Sequence, residues 1–174
     1  MNSLEVQYPH LKLFCQMNWE EVTREYEDNY FDISFPQYLQ QKAIEGDCPD
    51  YLFELAYYEM AYYQAQTLKL NYPYLPGIYL NPSALFLSLE YDIPAMLELV
   101  KQEGPALIER SIYLCIFQDT HGKAHAYELN HEELQILQLL EDGPAFNYQV
   151  FEDFNLDSFR HLSRKEIILD LLKN

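Results

Sequence analysis

Along this chain the apolar positions recur first at helical spacing and later at strand spacing, and the change of period divides it near residue 80. Asn18-Trp19-Glu20-Glu21 reads as an N-cap with a glutamate three residues on, opening a helix to about Tyr30. Ser34-Phe35-Pro36-Gln37 repeats that logic with a proline in the first turn and a glutamine closing a capping box, and Gly46 ends the helix. Cys48-Pro49-Asp50 opens a third helix to about Leu70. Leu52, Leu55, Ala56, Tyr62 and Tyr63 form one stripe on it, and Phe53, Tyr57, Met60 and Ala61 form another. A helix apolar on two faces is expected at the centre of its domain. Residues 1–17 are mixed: Pro9 interrupts them, and Leu11, Leu13 and Phe14 are available to dock them on the body.

The second period starts after a loop over 71–83, marked by Pro73, Pro76, Gly77 and Pro82. Ala84–Tyr91 alternates and predicts a strand, and Ile93–Gln102 predicts a short helix before Gly104. Arg110–Gln118, the turn Asp119-Thr120-His121-Gly122 and Lys123–Leu129 predict a hairpin. The strand at 84–91 is available to join it as a third strand. Asn130-His131-Glu132-Glu133 caps a helix with the stripe Leu134, Ile136, Leu137 and Leu140, ending at Gly143. Two further helical stretches are expected near Tyr148–Phe154 and Arg164–Leu172, the last opened by the box Ser163-Arg164-Lys165-Glu166. The expected fold is α+β. A helical domain over 1–80 precedes a winged-helix-like or peptide-recognition-like domain over 81–174, built as a hairpin plus three helices. No internal repeat or low-complexity segment interrupts this order.

Charge changes the picture most. The 174 residues carry 28 acidic and 11 basic side chains, a net charge of −17. Each phosphate contact needs a Lys or Arg, so this balance disfavours nucleic acid as a partner. The one local basic cluster is Arg160, His161, Arg164 and Lys165. Sixteen Tyr and ten Phe stand against one Trp. Tyrosine joins apolar area to a polar tip, which suits a half-wet core and a protein interface equally. Cys15, Cys48 and Cys115 are far apart, which argues against a disulfide framework or a structural zinc site. No apolar run reaches the ~20 residues that span a bilayer. Met1-Asn2-Ser3-Leu4-Glu5 lacks the features of a signal peptide, so a cytoplasmic setting is expected.

Candidate chemistry is sparse. There is no nucleophile elbow, phosphate-binding loop or dinucleotide fingerprint. His131-Glu132 starts like a zinc-binding helix, but Gln135 stands where a second histidine is needed. His121 and His125 flank the hairpin turn without an evident third ligand. Asp50 and Glu54, one turn apart, read as a solvated face. No catalytic residue, cofactor or metal ligand is expected. Glu59 is different, because it interrupts an apolar stripe between Leu55 and Tyr63. A carboxylate there needs a partner, for which Arg110, Arg24 and nearby tyrosines are the candidates.

Phe35-Pro36-Gln37-Tyr38-Leu39, the helix Tyr51-Leu52-Phe53-Glu54-Leu55-Ala56-Tyr57-Tyr58-Glu59, Asn81-Pro82-Ser83-Ala84-Leu85 and Arg110 opening an apolar strand together resemble a bacterial family. It is the DNA-binding-domain family of HvfC/MbnC type, and the resemblance spans roughly residues 30–145. It implies a non-enzymatic accessory subunit that pairs with an iron-dependent oxidative enzyme and helps recruit a ribosomally made precursor peptide. Leu129 to Gly143 resembles the signature of peptide-recognition modules of PqqD type, although hairpin, cap, helix and glycine alone produce the same string. Partner- or peptide-binding candidates are therefore Tyr57, Tyr58, Glu59, Tyr62, Tyr63, Arg110, Arg160, Arg164 and Lys165. The expected function is peptide and metalloenzyme binding, in natural-product biosynthesis or metal homeostasis. The alternative is a transcription regulator that uses the winged-helix-like part on DNA. A peptide is expected to add as a strand to the edge of the C-terminal sheet, with the helix beginning near Arg164 as a second wall.

Overall fold

The computed structural model describes residues 3–15, 17–30, 32–71 and 75–172. These residues form an α+β fold of eight α-helices, one 3-10 turn and five strands. Two compact units divide the chain, one of residues 1–63 and 89–112, the other of 64–88 and 113–174. A cut between 80 and 81 falls inside the second unit.

The first unit contains α1 (Ser3–Gln7), α2 (Leu11–Phe14), α3 (Trp19–Asn29), α4 (Phe35–Glu45), most of α5 (Asp50–Thr67) and α6 (Ile93–Val100). The mixed N-terminal segment is thus two short helices around Pro9. Leu11 and Phe14 are buried as expected, whereas Leu13 is exposed. At the start of α4 the backbone N–H of Ser34 donates to Gln37 Oε1 at 2.9 Å, completing the capping box. Gly46 closes α4 in the left-handed region at φ 83°, which a side chain would strain. The aromatic excess packs around Phe35, whose ring contacts Tyr8, Trp19, Tyr26 and Tyr38 with centroids 5.0–5.8 Å apart. Leu52, Leu55 and Ala56 of α5 are fully buried, but Tyr62 and Tyr63 on the same stripe are half-buried.

In the second unit lie β1 (Ile78–Leu80), β4 (Ala124–Glu128), α7 (His131–Glu141), the 3-10 turn Tyr148–Phe151, α8 (Leu156–Arg164) and β5 (Ile168–Asp170). Strands β2 (Leu85–Tyr91) and β3 (Glu109–Gln118) each run through both units. The three-stranded sheet has the order β2-β3-β4, so the strand at 85–91 does join the hairpin. In the hairpin Cys115 faces Tyr127 and Ile116 faces Ala126. The core of this unit includes Ile78, Cys115, Phe117, Ile136, Leu137, Phe159, Leu162 and Ile168.

Three expectations are corrected here. The segment 71–83 is not all loop, because Ile78–Leu80 pairs antiparallel with Ile168–Asp170. No local pattern announces that strand, since its partner lies some ninety residues away; Pro73 falls outside the described residues. The helix expected over 164–172 is displaced. Asn155 caps α8, accepting from the Asp157 N–H at 2.9 Å, and Phe159 and Leu162 are its buried stripe. The chain then turns at Glu166, φ 62°, and the β-branched pair Ile167-Ile168 enters the core, with Ile168 opening β5. Ser163-Arg164-Lys165-Glu166 therefore ends a helix rather than starting one. The stretch 148–154 is helical as a 3-10 helix over Tyr148–Phe151, so α7, this 3-10 helix and α8 follow the hairpin, and a strand rather than a helix closes the unit.

Asn81 ties the ends of these elements together. Its Nδ2 donates to the carbonyls of Gln118 (2.9 Å) and Glu166 (2.8 Å), and its Oδ1 accepts from the N–H and hydroxyl of Ser83. Ser83 Oγ in turn accepts from the Gln118 N–H at 2.7 Å. Asn81 and Ser83 thus form a buried, hydrogen-bonded splice in the fold, with Pro82 exposed between them.

Candidate functional site

Helix α5 carries five of the candidates, and Tyr57, Tyr58, Glu59 and Tyr62 have contacts inside the first unit. Glu59 is buried, as its place in the apolar stripe demands. Its basic partner is His10 rather than Arg110, Arg24 or a tyrosine. Glu59 Oε1 accepts from the backbone N–H of His10 at 2.8 Å and lies 2.8 Å from His10 Nδ1, while Oε2 accepts from the Leu11 N–H at 3.2 Å. The carboxylate thus sits at the N-terminal end of α2, where unpaired N–H groups converge. Burial pushes the Glu59 carboxyl up from its ordinary value, against the lowering effect of the His10 bonds. Arg110 is engaged elsewhere: its Nε donates to Asp92 Oδ2 at 2.8 Å, and Asp92 also caps α6 through the Ala95 N–H. Tyr58 is buried and stacks on Tyr62 at 6.1 Å, and the Tyr57 hydroxyl lies 3.4 Å from Gln40 Oε1. Tyr63 is half-buried.

Glu54, expected on a solvated face, is buried. Its two oxygens accept from the N–H groups of Glu90 and Tyr91 at 3.0–3.1 Å. Both α5 glutamates thus accept from backbone N–H groups of other segments.

The remaining candidates gather at the C-terminal end of α8. Arg160, Arg164 and Lys165 are all exposed. Arg160 is paired with Asp157 at 3.4 Å on its own helix. Lys165 Nζ lies 5.7 Å from the centre of the Tyr127 ring, on β4. The Tyr127 hydroxyl donates to the buried Glu133 at 2.8 Å, and His161 sits against the same ring with centroids 5.4 Å apart. His161 Nδ1 is 3.5 Å from Glu133 Oε1. Burial, then the Glu133 carboxylate, push the Tyr127 hydroxyl well above its ordinary value. Glu133 has a second duty, accepting from the Asn130 N–H at 3.0 Å in the capping box of α7. Tyr127 was not among the sequence candidates. Its signal was its phase, one of the alternate hairpin positions whose side chains face α7 and α8.

Strand β4 ends the sheet order. Leu129 N–H donates to Tyr113 O and Asp119 N–H to Lys123 O, which sets the odd-numbered residues of β4 as the hydrogen-bonded positions. Ala126, opposite Ile116 and exposed, therefore directs its own N–H and C=O away from β3. The geometry brings together an end strand, an aromatic ring on it and a cationic helix end beside it.

At the hairpin turn His125 Nε2 lies 2.7 Å from Asp119 Oδ2. Among the described residues no three His, Cys, Asp or Glu side chains converge in a way that could hold a metal ion. No described helix is long and apolar enough to cross a membrane. No protein-family model matches the chain, and no curated protein matches it.

Proposed function

We propose that this chain is a non-catalytic accessory protein of the cytoplasm. It binds a precursor peptide and presents it to an iron-dependent oxidative enzyme, in peptide natural-product or metal-homeostasis modification. One observation carries the reading. In a chain of net charge −17, the exposed cations Arg164 and Lys165 are neighbours in sequence, and Lys165 lies over Tyr127 on the end strand of a sheet. An extended peptide laid along β4 would use the outward N–H and C=O of Ala126 and set alternate side chains against Tyr127 and His161. Its acidic residues would meet Arg164 and Lys165, while the acidic remainder of the surface would repel acidic competitors. The resemblances of Asn81–Leu85 and Leu129–Gly143 support the same role. Tyr57, Tyr58, Glu59, Tyr62, Tyr63 and Arg110 are the candidates for the enzyme-docking part of it. Regulation of transcription is the competing reading, since the same three cations, Arg160 included, could meet phosphates.

The test is a titration of isotope-labelled chain with the precursor peptide encoded beside its gene, and in parallel with a random DNA duplex. The expected result is amide shifts in 124–128 and 160–165 with the peptide, lost in Arg164→Glu/Lys165→Glu, and none with the duplex. Peptide saturation that leaves these amides still sinks the β4 site. Micromolar duplex binding that weakens steeply with salt favours the regulator.

A further inference from the structure

The stretch 139–156 in the second unit displays apolar side chains that its fold does not need. Phe146 is 66% exposed and Leu156 62%, and Leu139, Tyr148 and Val150 are also well exposed. These are not loose chain. Ala145 and Ile78 exchange two backbone hydrogen bonds, at 2.7 and 3.0 Å, which turn Ala145 inward and Phe146 outward. Phe151 anchors the 3-10 turn in the core and leaves its neighbour Val150 outside. The Tyr148 hydroxyl donates to Asp170 at 2.9 Å, which fixes that ring at the surface. Glu132 accepts from the Asn155 N–H at 2.7 Å and from Ser158 Oγ at 2.6 Å, which holds Leu156 outward at the first position of α8. Leu139 follows Glu132 by seven residues, so it lies on the same face of α7. Side chains held in place before binding lose little freedom on contact, which favours a docking role.

The charge along this stretch of sequence is one-sided. From Ala124 to Phe159 the sequence contains no Lys or Arg. Glu141, Asp142, Glu152 and Asp153 are exposed and interleave with the apolar residues along the chain, and Asp157 is exposed and paired with Arg160. That field selects the occupant. A second copy of this chain would bring the same acidic rim against itself, and an anionic bilayer would be repelled likewise. We infer that 139–156 is a docking surface for a partner protein that presents a Lys/Arg-bearing amphipathic segment. The apolar residues of that segment cover Phe146, Tyr148, Val150 and Leu156, and its cations meet the acidic rim. Docking here does not depend on peptide binding at β4.

Three synthetic peptides of equal length test it by amide shifts on the isotope-labelled full chain. One is an amphipathic Leu/Lys helix, one has Glu for every Lys, and one has Ser for every Leu. The Leu/Lys peptide should shift amides within 139–156. Its affinity should fall about tenfold or more in Phe146→Ser/Leu156→Ser, whose changed residues are exposed and leave the melting temperature near wild type. The Glu peptide should not bind, and the Ser peptide should bind at least about tenfold more weakly. Equal binding of the Ser peptide would reduce the surface to an unspecific acidic field and overturn the proposal. Unmoved amides in 139–156, or an unaffected double variant, would overturn it too. Sedimentation as a dimer that the double variant dissociates would assign the face to a second copy. Binding to phosphatidylglycerol vesicles that the double variant abolishes would assign it to lipid. Shifts confined to 124–128 and 160–165 would report on the β4 site instead.

Discussion

Glu59 illustrates how a buried carboxylate is satisfied without a Lys or Arg partner. Two backbone N–H groups and one imidazole do the work. Glu59→Ala leaves the His10 and Leu11 N–H groups without an acceptor and should cost about 2–4 kcal/mol in chemical denaturation. Glu59→Gln keeps one acceptor oxygen and should recover part of that. A Glu59→Ala variant that unfolds like wild type would show that α2 contributes nothing to global stability. Asp119 offers a pH-dependent counterpart. The His125 bond first, then the Lys123 and His121 N–H groups, lower its carboxyl from 3.8 to about 2. The folded value lies below the unfolded one, so its contribution is present above the unfolded value. It is lost as pH falls from about 4 to about 2. Asp119→Asn should therefore flatten the acid limb of a stability–pH curve in that window and lower stability at neutral pH. An unchanged acid limb would show that other carboxylates govern it.

At the scale of elements, the splice at Asn81 joins the chain after β1, the end of β3 and the turn before β5. Asn81→Ala removes two donors and an acceptor from a buried network and should cost about 2–4 kcal/mol, read as a shifted denaturant midpoint. Loss of under about half a kcal/mol would mean that water replaces the side chain there. The same region shows where sequence reading stops. Helices α3, α4, α5 and α7 were legible because their caps and stripes are local: Ser34 with Gln37, Asn130 with Glu133. The hairpin was legible from its turn and alternation. Strands β1 and β5 were not, because three residues paired across such a separation carry no period, and Ile167-Ile168 fits either a helix or a strand. Glu133 was legible as a capping residue but not as the acceptor for Tyr127, since that contact needs β4 laid over α7. Burial of Glu54 was hidden because its donors, Glu90 and Tyr91, arrive from a strand that no helical pattern describes.

At the scale of the whole chain, charge is the dominant global term, and its sign makes a measurable difference. Twenty-eight acidic groups against eleven basic ones repel one another in the folded state more than in an expanded chain. Several of the cations are already engaged. Lys42 serves Glu25 at 2.9 Å and Asp47 at 3.5 Å, Lys101 serves Glu98, and Arg110 serves Asp92. In the Lys101, Arg160 and Lys12 pairs both side chains are well exposed, and pairs of that kind contribute only about 0–1 kcal/mol each. Added salt weakens those pairs, but it also screens the far more numerous acidic repulsions, whose range matches a Debye length of about 8–10 Å near physiological ionic strength. Repulsion should win. The melting temperature should rise by a few degrees, on the order of 1 kcal/mol for a domain of this size, between low salt and about half-molar sodium chloride. Calorimetry across that range checks it, with sodium chloride preferred to sulfate so that screening is separated from solute exclusion. A melting temperature that falls with salt would mean that the ion pairs, led by the Lys42 cluster, outweigh the net charge. The acidic rim around Phe146 and Leu156 would then be a weaker field than the count of side chains implies.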